Sequence, residues 1–264
     1  MKLIASFFRI SYLINLTYRF GLIMRLIREF TTPLSFIILW SALYLGRTEI
    51  NGFTFGAIIS YYILVKVIDQ LYSYEPAKLL TREIRTGDLS NYLTKPLNYY
   101  KYLFGYTFGK RIARTTLTLL AVALLFIFFP TTLSLPPTLI FGAVFIVALF
   151  LGIILVFEIT FILGCLTFWI SETDYFRGAI ENLSLILGGL WVPVTFFPKE
   201  ILKILDYLPF KYQYYFPVAI FQGKVMTGEI MRGLIIESIW IVILFFVLKT
   251  TWANGIKKYE GYGN

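Results

Sequence analysis

The 264-residue sequence contains no histidine and only one cysteine. Without histidine the chain lacks the commonest general base, any Ser-His-Asp arrangement and the usual nitrogen ligand of zinc. The single cysteine, Cys165, lies in an apolar run, so an intrachain disulfide and a cysteine metal site are excluded and a packing role is favoured. We therefore predict no catalytic residue, no metal site and no cofactor bound by this chain.

A phosphate-binding loop is also absent from the sequence. The two Gly-Lys pairs, Gly109-Lys110 and Gly223-Lys224, have neither the preceding glycine spacing nor the following Ser or Thr of such a loop. No GxSxG pattern occurs, which removes the main support for a hydrolase. Any dependence on ATP would have to come from a partner subunit.

Charge is scarce, and apolar residues dominate. The chain is 58% hydrophobic and 15% charged, and its mean hydropathy is +0.74. These values place it in the membrane class. The apolar runs are continuous, as helices require, rather than the alternating segments of about ten residues that a β-barrel needs. The predicted fold class is an all-α polytopic membrane protein.

Length sets the number of spans, since a helix needs about 20 residues to cross roughly 30 Å of hydrocarbon. Six spans are predicted within one transmembrane domain of residues 1–264, at 30–46, 53–72, 103–129, 138–170, 179–197 and 233–248. Residues 1–29 mix Lys and Arg with Leu, Ile and Phe, which predicts an amphipathic interfacial helix. The fifth span is interrupted by Gly188, Gly189, Pro193 and Pro198. Residues 198–228, which follow it, are either an interfacial anchor or a re-entrant piece at the outer leaflet.

The distribution of basic residues predicts the orientation. Lys and Arg are concentrated in the amino-terminal region, between Lys78 and Arg114, and in the carboxyl-terminal tail. Both termini and the polar segment 75–101 are therefore expected in the cytoplasm. The region between spans five and six does not fit this orientation, because it carries several lysines on the predicted outside. The net charge of +9 is attributed to orientation and anionic lipid, not to nucleic acid.

Among the ionisable residues within or at the ends of the predicted spans, four are singled out as candidates: Lys66, Asp69, Glu158 and Glu237. A charge in the membrane costs about 2.5 to 3.5 kcal/mol on insertion scales, so such groups face the bundle interior, a partner or water. Lys66 and Asp69 are three residues apart and can pair on one helical face. Glu237 is the best candidate for lining a translocation path, with structural helix pairing as the alternative. For Glu158 the structural role is favoured.

The segment 75–101 is the longest polar stretch. Residues 77–86 are predicted to form a helix that ends at Gly87, since glycine accepts the left-handed conformation past a helix end. Asp88 is predicted to cap a second short helix, and Pro96 to end it. In the first helix, one side is expected to carry Leu79, Leu80 and Ile84 and the other mostly Lys78, Arg82, Glu83 and Arg85. On these grounds alone, a solvated loop lying on anionic headgroups remains an alternative.

The pattern E-I-R-T-G-D-L-x-x-Y-L-x-K-P-L, Glu83 to Leu97, lies between the second and third spans. A broken fifth span leads through P-F-x-Y-x-x-Y-F-P and F-Q-G, Pro209 to Gly223, into the sixth. In this order the patterns resemble the membrane subunits of bacterial type-two ATP-binding-cassette (ABC) transporters, in the six-span permease branch.

That resemblance implies a pair of permeases, identical or related, in the bacterial cytoplasmic membrane. It also implies two separate ATPase subunits that hold ATP and Mg. The coupling helix would map to the pattern positions Leu79, Glu83, Arg85, Gly87, Leu93 and Pro96. The leading hypothesis is the permease half of an ATP-driven exporter. The alternatives are an ion-coupled secondary carrier and a non-transporting membrane scaffold.

Overall fold

The computed structural model describes residues 24, 31, 34–128 and 135–259. The interfacial helix predicted for residues 1–29 therefore lies almost entirely outside the described residues. The elements, in chain order, are α1 (Leu34–Leu43), β1 (Glu49–Ile50), β2 (Phe53–Thr54), α2 (Phe55–Leu71), α3 (Glu75–Thr86), α4 (Ser90–Leu93), α5 (Tyr99–Phe128), α6 (Leu139–Cys165), α7 (Asp174–Leu187), α8 (Lys199–Leu205), α9 (Tyr215–Phe221) and α10 (Thr227–Lys258). Short 3-10 turns occur at Leu166–Phe168 and Val194–Phe196.

A two-residue turn joins the antiparallel strands β1 and β2. Asn51 and Gly52 both have positive φ, 47° and 79°, as an Asn-Gly hairpin turn requires. The Thr54 hydroxyl then accepts a hydrogen bond from the Ala57 amide and caps α2. The connection predicted between the first two spans is therefore a hairpin that leads directly into α2.

Three helical stretches among the described residues are long and apolar enough to cross a membrane: Phe55–Thr86, Leu139–Phe168 and Thr227–Lys258. The first is α2 followed, after the break at 72–74, by the polar helix α3. A shorter apolar helix, α1, precedes them. The predicted class, an α-helical multi-pass membrane protein, is confirmed at this level. The count of six spans stays a prediction.

The predicted fifth span is a shorter helix than expected. Helix α7 begins at Asp174, five residues before the predicted start, and ends at Leu187, before the break predicted at Gly188. The non-helical backbone that follows is held by two tyrosine hydroxyls of α2. Tyr61 donates to the Gly189 carbonyl, and Tyr62 donates to the Trp191 carbonyl at 3.0 Å. Carbonyl groups that the helix break leaves unpaired thus find partners inside the protein.

Helix α6 is the centre of the packing. It contacts α10, α3 and α9, while α2 packs on α5. Of the three buried apolar clusters, one surrounds α2, and a second lies between α6, α9 and α10. The third joins α3 and the start of α5 to the last turns of α6 and α10. We call the end of the bundle that carries this third cluster the α3 end.

Candidate functional site

The α3–α4 segment is a bent pair of helices. Gly87 stands past the end of α3 with φ 80° and ψ −5°, the left-handed conformation. The Gly87 amide donates to the Ile84 carbonyl at 3.3 Å, and the Leu89 amide donates to the Glu83 carbonyl at 3.0 Å. Leu89 is fully buried. The predicted stop at Gly87 is confirmed, and the buried leucine fixes the direction in which the chain leaves the bend.

The predicted cap of the second helix is wrong. Helix α4 spans only Ser90–Leu93, has Leu89 at its N-cap position and receives no side-chain cap. Asp88 instead accepts a hydrogen bond from the Thr86 hydroxyl at 2.6 Å. The Asp88 carboxylate therefore stabilises the bend rather than α4, which ends at Leu93, three residues before Pro96.

Helix α3 lies directly against the last turns of α6. The contact is close because Gly164 has no side chain: a Cβ atom there would lie 3.1 Å from the Ala77 Cα and 3.1 Å from the Leu80 Cδ2. Ala77 and Leu80 are fully buried on this face. Close backbone approach through glycine is a common way for membrane helices to pack tightly. The two helices are therefore in direct backbone contact, although they are far apart in the chain.

Hydroxyl groups extend the same contact. The Thr81 hydroxyl lies 2.8 Å from the Thr167 hydroxyl, which lies 3.1 Å from the Thr173 hydroxyl. All three side chains are buried. They form a hydrogen-bonded chain from α3 across the end of α6 to the start of α7.

An ion pair closes this side of the site. Arg85 binds Asp174 at 3.3 Å and also donates to the Ser171 carbonyl. Arg177 donates a hydrogen bond to Asp174 and, together with Arg85, holds the pKa of that carboxyl below its ordinary value. Because the Asp174 side chain is about half exposed, each pair contributes little stability, and its main effect is on orientation.

Glu83 faces the interior, contrary to its predicted place on the polar side of α3. It is 2% exposed, and its carboxylate accepts a hydrogen bond from the Tyr99 hydroxyl at 2.6 Å. The Tyr99 ring stacks on Trp252 of α10, with centroids 5.0 Å apart. Glu83 can be buried beside Leu80 and Ile84 because a hydroxyl group of α5 donates a hydrogen bond to its carboxylate. Glu83 thus ties α3 to α5 and, through Tyr99, to α10.

The carboxyl end of α10 also touches this site. Gly255 makes room for the Phe168 ring, which overlaps the position of an added Cβ atom. The Tyr259 hydroxyl lies 3.3 Å from the Ser90 hydroxyl of α4. The α3–α4 segment is therefore in contact with α5, α6 and α10 as well as being joined to α2 by the chain.

The remaining predicted coupling residues lie at the surface or its edge. Arg85 and Pro96 are exposed and Leu93 is 39% exposed, whereas Leu79 is half-buried against the third cluster. At the start of α3, Glu75 binds Lys110 at 2.8 Å and Arg114 at 3.4 Å, both on α5. Sequence reasoning missed the residues that hold the segment from below, among them Tyr99, Gly164 and Trp252. No local signal distinguished them from the many other aromatic and glycine residues of the chain.

Two of the four ionisable residues predicted within the spans are buried carboxyls on α6 and α10. Glu237 of α10 is 0% exposed and Glu158 of α6 is 1% exposed. Both Glu237 oxygens and one Glu158 oxygen have no hydrogen-bond partner among the described residues. Asp69 accepts from the Tyr214 hydroxyl at 3.1 Å, and Lys66, one turn earlier on α2, is half-buried.

Gln213 is a buried polar residue that sequence reasoning did not single out. It is 1% exposed, and neither the nitrogen nor the oxygen of its side-chain amide has a hydrogen-bond partner among the described residues. Its backbone carbonyl accepts a hydrogen bond from the Tyr72 hydroxyl. A Cβ atom at Gly152 would meet that Tyr72 hydroxyl and would lie 3.6 Å from a Glu237 oxygen. Glu237, Tyr72 and Gln213 therefore form one polar region between α2, α6 and α10.

A concave surface lies at the other end of the bundle, where α10 begins. A cavity of about 220 Å³ is lined by aromatic residues and by five charged ones: Asp206, Lys211, Lys224, Glu229 and Arg232. Burial lowers the pKa of Lys224 to about 8. Among the described residues no group of three or more His, Cys, Asp or Glu side chains is arranged to hold a metal.

Comparison with known families agrees with this architecture. The family model described as "ABC-2 family transporter protein" matches residues 30–263. No curated protein and no solved structure matches the chain. Since the matched region covers most of the sequence and includes every helix of the α3 end, the chain belongs to the ABC-2 family of transporter proteins.

Proposed function

We propose that the chain is the permease subunit of an ATP-driven exporter in the bacterial cytoplasmic membrane, with both termini in the cytoplasm. It forms the translocation path with a second permease, identical or related. Its segment 75–101 couples the path to separate ATPase subunits, which hold ATP and Mg. The absence of a phosphate-binding loop in this sequence is in keeping with ATP hydrolysis on a partner.

The observation that carries the proposal is the geometry of the α3–α4 segment. Its inner face is fixed to α6 by Gly164 and to α5 by Glu83, while its outer face is polar and exposed. The exposed side chains are those of Lys78, Arg82, Arg85, Thr86, Asp88, Asn91, Leu93, Thr94, Lys95 and Pro96. A short helical element with its inner face packed on the bundle and its outer face exposed is suited to transmitting a displacement from a bound partner to the bundle. A loop that merely rests on headgroups would not need buried contacts with three other helices.

The test is purification of the tagged chain from its native membranes, with two substitutions at Gly87. Proline cannot adopt the φ of 80° found there, whereas asparagine tolerates the left-handed region. We expect wild type and Gly87→Asn to co-purify with an ATPase subunit, and Gly87→Pro to lose it while still inserting in the membrane. Full ATPase recovery with Gly87→Pro would remove the coupling role from this segment.

One observation favours a second candidate, an ion-coupled carrier that acts alone. Glu237 is a fully buried carboxyl without a partner among the described residues, and such residues often serve ion or proton pathways. In proteoliposomes, transport driven by an ion gradient without ATP would support the carrier. Transport that requires the ATPase subunit and ATP would support the exporter. If Glu237 lines the path, Glu237→Gln should change transport under either mechanism.

A further inference from the structure

A cavity of about 300 Å³ lies beside α3 at the surface of the α3 end. Three parts of the chain line it: the end of α3 with Ile84 and Arg85, the turn after α6 with Thr167, Phe168 and Ser171, and the end of α10 with Lys258 and Tyr259. The contacts that form it are the ones already described, between Arg85 and Ser171 and between Phe168 and Gly255. The walls are thus held in place by hydrogen bonds and packing.

The lining has a clear division of chemistry. The floor is apolar, because Ile84 and Phe168 are buried beneath it, and the Tyr259 ring packs on the Phe168 ring with centroids 6.1 Å apart. The rim carries two cationic side chains: Lys258 is exposed, and Arg85, which is 43% exposed, is paired with Asp174. Its volume is at the lower end of that of small-molecule sites, which suits one large side chain better than a substrate.

We propose that this cavity receives a side chain of the ATPase subunit, an apolar residue that stands next to an acidic one. An apolar side chain in a concave site, ringed by a complementary charge, is the usual form of an interface anchor. The cavity is continuous with the exposed face of α3, so one partner covers both. This inference rests on the proposed function and extends the docking surface beyond segment 75–101 to the end of α10.

The cavity also suggests why α10 touches the α3–α4 segment. A side chain seated between Ile84 and Tyr259 contacts α3 and α10 at once. A partner that moves α3 therefore moves the end of α10 with it. The ATPase subunit then contacts both α3 and α10 and not α3 alone.

Two pairs of neighbouring substitutions test the proposal in the full-length permease, co-expressed with its ATPase subunit. Ser171→Trp fills the cavity and Lys258→Glu reverses its rim, whereas Glu172→Trp and Lys257→Glu place the same changes on exposed neighbours outside the lining. We expect the first of each pair to lower ATPase recovery roughly tenfold at equal permease yield. The controls should stay within about twofold of wild type.

The readouts separate failure of this inference from failure of the proposed function. If the ATPase subunit co-purifies equally with wild type and all four variants, the proposed role of the cavity is wrong and the proposed exporter function stands. No ATPase with wild type overturns both. A cysteine crosslinker at position 258 gives a second measurement, since the native Cys165 is fully buried. Crosslinks from Lys258→Cys to the ATPase, and fewer from Lys257→Cys, support the proposal, whereas crosslinks only to this chain's own amino-terminal residues or to lipid reject it.

Discussion

The buried hydrogen bond between Tyr99 and Glu83 allows a direct test of how the coupling segment is held. Substitution Tyr99→Phe removes the hydroxyl that lies 2.6 Å from the carboxylate and keeps the ring stacked on Trp252. Glu83 is 2% exposed, so water does not readily replace the lost donor. Leaving a buried charged acceptor without its partner costs about 2 kcal/mol. The cost falls on the docked state of α3, because the carboxylate is solvated again when α3 separates from α5.

Hydrogen exchange measured by mass spectrometry is the appropriate assay. A loss of about 2 kcal/mol in the docked state raises the exchange rate of the α3 amides roughly 30-fold, where exchange proceeds through local opening. Peptides from the middle of α10 serve as an internal reference. Tyr92→Phe is the matched control, because that hydroxyl lies 2.9 Å from another tyrosine hydroxyl and its side chain is half-buried. We expect less than about a fivefold change there. Unchanged α3 exchange in Tyr99→Phe, or an equal increase in both variants, would refute the reasoning.

Three further predictions concern packing, the buried carboxyl and pH. Gly164→Leu should lower the melting temperature and weaken the docking of α3, since even a Cβ there is 3.1 Å from two α3 atoms. The expected cost is about 1–3 kcal/mol, and Gly142→Ala, with only an ordinary contact at 3.6 Å, should be neutral. Glu237→Gln should melt no lower than wild type, because glutamine keeps the size of the side chain and cannot carry a charge in this buried, unpartnered position; a clearly lower melting temperature would indicate a partner that the described residues lack. Because Arg177 and Arg85 lower the pKa of Asp174, its stabilising effect is present above the ordinary carboxyl pKa of about 3.9 and lost as pH falls through the lowered value. The melting temperatures of wild type and Asp174→Asn should therefore differ slightly near neutral pH and converge in acid.

Local rules account for the parts of the site that were predicted correctly. The stop at Gly87 follows from one residue's ability to adopt positive φ. The break at Gly188 likewise follows from glycines and a proline within a few positions. The prediction for Asp88 was wrong for an equally local reason. Its carboxylate accepts a hydrogen bond from the Thr86 hydroxyl instead of capping α4.

The sequence by itself determined the membrane class and the position of the polar bend, because hydrophobicity and helix ends depend on neighbouring residues. Only the tertiary structure decided which face of α3 is buried. Glu83 lies inside because Tyr99 supplies a donor, and α3 rests on α6 because Gly164 lets their backbones approach. The cavity beside Tyr259 is likewise built from three parts of the chain that periodicity does not connect. Such contacts join residues distant in the chain, and their energies exist only once the helices have packed.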